Sequence, residues 1–170
     1  EDAIGCTSCH SMHASDPDDQ LKDAARSDGA CASCHEAQAT RDHSRHGPEV
    51  LCYSCHMPRV SYALYRAQRS HRIDAPDVDA AIDHGRPPAC NLCHVDEDLA
   101  WTDRELARGW GRAASAGPPA GAPRVGFALE LALRGDAAQR VVIADHLLDS
   151  REPQPAATPE RRALHATVLA

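Results

Sequence analysis

Large aromatic side chains are nearly missing from this 170-residue chain, which holds one Phe, two Trp and three Tyr. Its 42% hydrophobic fraction is ordinary only because alanine supplies much of it. Bulky apolar residues are scarcest before Trp101, so side chains alone cannot fill the interior of that half. Long apolar runs are missing as well. No stretch approaches the ~18 residues that a membrane span needs, so none is expected. Basic charge is outweighed, with 18 Lys and Arg against 25 Asp and Glu, a net charge of −7. That balance argues against nucleic acid as a partner. The chain opens at Glu1 with no apolar leader, so Glu1 is expected close to a processed, mature terminus.

What the chain does hold is cysteine in a strict arrangement. The eight cysteines fall at Cys6/Cys9, Cys31/Cys34, Cys52/Cys55 and Cys90/Cys93, and each pair is followed at once by histidine: His10, His35, His56 and His94. C-x-x-C-H is the attachment signature of c-type haem. The two thiols add across the porphyrin vinyl groups as thioethers, and one helical turn presents both sulfurs to the same macrocycle edge. The adjacent histidine then lies under the iron as its proximal ligand. Zinc knuckles built from C-x-x-C pairs leave the four histidines unexplained. Disulfides between such near neighbours close very short, strained loops. Four covalent haem c groups are therefore expected, with iron held by His10, His35, His56 and His94. Because c-type haem is attached outside the cytoplasmic membrane, a periplasmic or extracellular location is expected too.

Seven further histidines are candidates for the sixth iron position. Five of them, His13, His43, His46, His71 and His84, lie before His94, one more than four bis-histidine haems require. His13 follows His10 at helical spacing, so the two are expected on one side of a short helix. His13 then cannot reach the far face of the iron that His10 holds, but can serve a neighbouring haem. His43 and His46 repeat the spacing. The expected distal ligands are His13, His43, His46 and His71, with His84 in reserve. His146 and His165 are expected as surface or hydrogen-bonded residues. Met12 and Met57 sit within two residues of proximal histidines, so packing against a porphyrin suits them better than ligation.

The spacing between motif starts, 25, 21 and 38 residues, is too irregular for a repeat. Polar punctuation such as "SDPDDQ" and "DHGRPP" fills the gaps, and no strand-like alternation persists for five residues. Residues 1–112 are expected as a haem-bearing domain, mostly irregular and α-helical, whose short helices and loops wrap round four haems. Thr102 and Glu105 have capping-box spacing, so a helix is expected to begin there. Gly and Pro mark 113–124 as a linker. Residues 125–170 are expected to form a small α-helical region. Val125, Leu129 and Leu133 fall on one helical face. Val141, Asp145 and Leu148 fall on another, with Ile143 and Leu147 beside them. Pro159 sits in the first turn of a last helix. Trp101 and Trp110 are expected where the two halves join.

The runs "CTSCHSMHASDPDDQL", "HSRHGPEVLCYSCHMPRVSYALYRAQRSHRIDAP" and "GRPPACNLCHVDEDLAWT" resemble multihaem c-type cytochromes whose haem domain leads into HEAT-type helical repeats. The resemblance covers residues 6 to about 112 and continues more weakly into "LRGDAAQR". It implies electron transfer in the envelope or outside the cell. It implies roles for the four motifs, His13, His43, His46 and His71, but none for His84. The leading expectation is an electron conduit serving redox partner proteins. One alternative is a subunit of an extracellular cytochrome filament, whose partners are copies of itself. Another is a multihaem oxidoreductase of a small nitrogen compound. That enzyme needs an iron with an open position, which five spare histidines argue against; Lys22, the sole lysine, is the one unusual ligand on offer.

Overall fold

A computed structural model of the chain describes residues 4–16, 20–62, 66–113, 125–148 and 166. They fall into two compact units, Glu1–Cys52 and Tyr53–Ala170.

The first unit is built from single turns. Helices α1 (Cys6–Cys9), α2 (Gly29–Ala32) and α3 (Arg41–Ser44) alternate with 3-10 turns at Asp23–Arg26 and Glu36–Gln38. A short bridge ties α1 to the following segment, Ser11 N donating to Gln20 O and Lys22 N to Cys9 O, both at 2.9 Å. The Thr40 hydroxyl accepts from His43 N at 3.3 Å and starts α3. Arg45, at φ 57°, ends it. None of this unit's described residues is buried, as its shortage of bulky apolar side chains requires.

The second unit has a side-chain core. Helix α4 (Cys52–His56) leads into an antiparallel pair, β1 (Arg59–Tyr62) and β2 (Arg66–Arg69), with Arg59 opposite Arg69 and Tyr62 opposite Arg66. This sheet departs from the expectation of helices and loops alone. Its strands are four residues long, below the length at which alternation can be read. Helices α5 (Asp79–His84), α6 (Ala89–Cys93), α7 (Leu99–Trp110), α8 (Phe127–Arg134) and α9 (Ala137–Leu148) follow. Ala81, Leu92 and Val95 form one buried cluster with Phe127, Ala128, Leu131, Val142 and Ile143. Gly126 lets α8 start against the 95–97 turn: a Cβ there would lie 2.2 Å from the Val95 carbonyl oxygen. Beside it, Phe127 N donates to Glu97 O at 2.9 Å.

Three local expectations are corrected. Helix α7 begins at Leu99, capped by Asp98, whose carboxylate accepts from Trp101 N at 2.6 Å. Thr102 lies inside the helix and is fully buried. Helix α8 buries Phe127, Ala128 and Leu131, whereas Val125 and Leu133 are exposed. Helix α9 buries Val142, Ile143 and His146 and exposes Leu148. In each helix several apolar stripes were available, and the partner surface selected among them. Among the described residues helices α8 and α9 are one helix pair, and a series of HEAT-type repeats is not shown. The expected linker from residue 114 onward, His165 and, apart from Ala166, the last helix lie outside the described residues.

Candidate haem attachment sites

The four motifs close in the same way. His10 N donates to Cys6 O at 2.9 Å, His35 N to Cys31 O at 2.9 Å and His94 N to Cys90 O at 2.8 Å. In the third motif helix α4 itself runs from Cys52 to His56. One backbone turn thus links the first cysteine to the histidine each time, as attachment to one macrocycle edge demands. The second motif corrects the expectation that a helical turn carries both sulfurs. Helix α2 ends at Ala32, so Cys34 lies beyond it, with an exposed thiol. The chain tightens there, Cys34 N donating to Cys31 O at 3.1 Å, and the Ser33 hydroxyl turns back to Ala30 O at 2.8 Å. Such three-residue bonds commonly close the last turn of a helix. The Cys34 sulfur lies 3.9 Å from the Ser33 hydroxyl and is otherwise open to solvent on its exposed residue.

All eight cysteines are free thiols. Among the described residues no three His, Cys, Asp or Glu side chains converge on one point.

The third motif fixes the orientation of its histidine. His56 Nδ1 lies 2.8 Å from Asp74 O, and Asp74 N donates back to His56 O at 3.1 Å. A carbonyl oxygen only accepts, so Nδ1 carries the proton and the Nε2 lone pair is the one suited to iron. Arg69 stacks 4.4 Å from the Tyr53 ring centroid and donates to the carbonyls of Tyr53 and Met57, closing the end of α4. Beside it lies a small depression lined by Cys55, Arg72, Asp74, Arg86, Pro88 and Ala89. A sulfur at its wall and two guanidinium groups among its lining fit an apolar macrocycle with carboxylate substituents.

The fourth motif is the most deeply anchored. Asn91, between its two cysteines, is fully buried. Its amide donates to Glu97 O at 2.8 Å and accepts from the Thr102 hydroxyl at 2.7 Å. The Trp101 ring packs on His94, centroids 4.7 Å apart and planes tilted by 43°. Trp101 thus serves the site directly, while Trp110 is 39% exposed at the end of α7.

Successive motifs adjoin. The Asp28 carboxylate accepts from Cys52 N at 2.7 Å, holding that cysteine beside α2. The Cys31 and Cys52 thiols hydrogen-bond there. Cys9 lies within electrostatic reach of Cys31, and Cys55 within reach of Cys90. Burial, with the Asp28 charge added, pushes the Cys52 thiol up to about 12 and raises Cys31. Burial, with Cys55 close by, pushes Cys90 up to about 12, and burial also raises Cys55.

The expected distal histidines are spread over separate segments. Helix α1 stops at Cys9 and Met12 has φ 59°, so His13 leaves the helical face that its spacing from His10 suggested. The left-handed Arg45 likewise separates His46 from the helix holding His43. His46 Nδ1 bonds Ser44 O at 2.6 Å, the same tautomer-fixing contact as in His56. His71 is exposed, on the segment whose Asp74 clamps His56, and His84 is exposed at the end of α5. Asn91, Trp101 and Asp74, which support the third and fourth motifs, carry no signal in the local sequence. His146 too has no place at a motif by its sequence, yet it is 4% exposed with Nε2 3.4 Å from Cys93 Sγ. Nothing local marks these residues, because each acts through a partner distant in sequence or through its backbone.

Comparison with known families bears on the first two motifs. Residues 2–40 match the doubled CXXCH motif. The match supports a multihaem c-type cytochrome, with covalently bound haem c and a role in electron transport. No curated protein and no solved structure matches the chain. Outside the doubled CXXCH segment, the third and fourth sites rest on the same turn geometry and the same residue types. No helix among the described residues is long and apolar enough to cross a membrane.

Proposed function

We propose that the chain is a tetrahaem electron conduit of the periplasm or cell exterior, with His13, His43, His46 and His71 completing the coordination begun by His10, His35, His56 and His94. The observation that carries this reading is the adjacency of successive motifs, Cys9 by Cys31, Cys31 by Cys52 and Cys55 by Cys90. Bound at these motifs, haem iron supplies one-electron couples without substrate chemistry. The chain's own work is to fix ligand tautomers, as Asp74 does for His56, and to shield the half-buried cysteines of the third and fourth motifs. Histidine at both axial positions holds the couples at low potential, because methionine ligation is what raises them. A reductive titration of the purified holoprotein tests this. Four electrons per chain, taken up by iron that stays low-spin, is the expected result. Fewer than four electrons, or a high-spin iron that binds nitrite or hydroxylamine, overturns the conduit reading.

A further inference from the structure

We propose that His146 is a positioning residue of the fourth haem site, donating a hydrogen bond from Nε2–H to the thioether sulfur of Cys93. The inference rests on the proposed haem at Cys90 and Cys93. His146 is the one described histidine that is buried, at 4% exposure, and its Nε2 stands 3.4 Å from Cys93 Sγ, within reach of a hydrogen bond to sulfur. The contact joins residues 53 positions apart, so it is made by the fold and not by local sequence.

Helix α9 is pinned on both sides of this contact. Arg59, on β1, pairs with Asp145 at 3.1 Å, one residue before His146. Two turns earlier, Gln139 Nε2 donates to Gly85 O at 3.0 Å, at the left-handed turn that ends α5. Val142 and Ile143, on the same side of α9, are 3% and 2% exposed in the core. The imidazole therefore has little freedom to leave the sulfur.

Attachment of haem fixes the direction of the bond. A free Cys93 thiol can donate its proton to imidazole or accept from it. A thioether has no proton and keeps only its lone pairs, so the contact survives only with Nε2–H as donor. A thioether sulfur lies at the macrocycle edge, and an imidazole nitrogen in contact with it stands at that edge and not over the iron. On this assignment His146 would serve the sulfur and stand outside the set of axial ligands. Its hydrogen bond draws electron density from the sulfur and favours the reduced haem, as outer hydrogen bonds do at metal sites generally.

The test compares wild-type holoprotein with His146→Leu and His146→Gln by intact mass, optical spectrum and stepwise redox titration. Each protein should keep the same number of haems and low-spin iron. In His146→Leu one reduction step should move to lower potential while the others stay in place. In His146→Gln, whose amide N–H can occupy the Nε2 position, that step should return toward the wild-type value. If the Leu variant does not fold, His146→Asn replaces it, since its amide reaches only the Nδ1 position and should also lower the step. Unchanged potentials, or a Gln variant that behaves as Leu does, overturn the hydrogen bond. Loss of low-spin iron in the Leu or Asn variant overturns it too, and makes His146 an axial ligand. A wild-type peptide carrying unmodified Cys90 and Cys93 overturns instead the haem assignment beneath it.

Discussion

Asn91 shows how one side chain can hold a candidate attachment motif in place. It occupies a variable position of its motif, yet it is fully buried and bonds both the Glu97 carbonyl and the Thr102 hydroxyl. A buried polar group left without its partner costs about 1–3 kcal/mol. Asn91→Ala strands the Thr102 hydroxyl, while the Glu97 carbonyl keeps the Phe127 N–H, so denaturant unfolding of the holoprotein should show a loss of about that size. Thr102→Val alone strands the Asn91 oxygen. The double variant should therefore lose less than the two single losses added together. Strict additivity would mean that the two side chains do not act as a pair.

At the scale of elements, the contact between α8 and the turn after the fourth motif depends on Gly126. An alanine Cβ there meets the Val95 carbonyl oxygen at 2.2 Å and the Asp96 backbone at 2.9 Å, and neither is the end of a flexible side chain. Gly126→Ala should destabilise the holoprotein by about 1–3 kcal/mol, the usual range for overpacking. A stability equal to wild type in thermal unfolding would show that α8 is not seated on that turn. The motifs themselves could be read from sequence because each is confined to five consecutive residues and defined by covalent chemistry. The end of α2 before Cys34 could not, since it depends on how Ser33 and the tightened turn finish the helix. Nor could the four-residue strands, the Asp98 cap and the buried faces of α8 and α9. Asp98 and Thr102 both have capping chemistry, and only the burial of Thr102 against Asn91 decides between them. Helix α9 offers apolar residues on several sides, and the choice of Val142, Ile143 and His146 is made by β1, α6 and α8. His146 could not be placed for the same reason, since its partner Cys93 is remote in sequence.

Across the whole molecule, the buried side chains are unevenly distributed. Every buried residue among those described lies between Ser70 and His146, whereas the described residues of the Glu1–Cys52 unit hold two motifs and the first cysteine of a third without a buried side chain. Short turns exposing this much surface cannot offset the conformational entropy of ordering them. Covalent links and axial bonds are what would define such a unit, as metal ligation defines other domains that lack a sufficient core. The entire account therefore depends on occupancy of all four motifs, which intact mass of the denatured, acid-acetone-extracted protein measures most directly. A mass equal to the 18.3 kDa chain plus four haems is the predicted result; a chain carrying fewer covalent haems contradicts it.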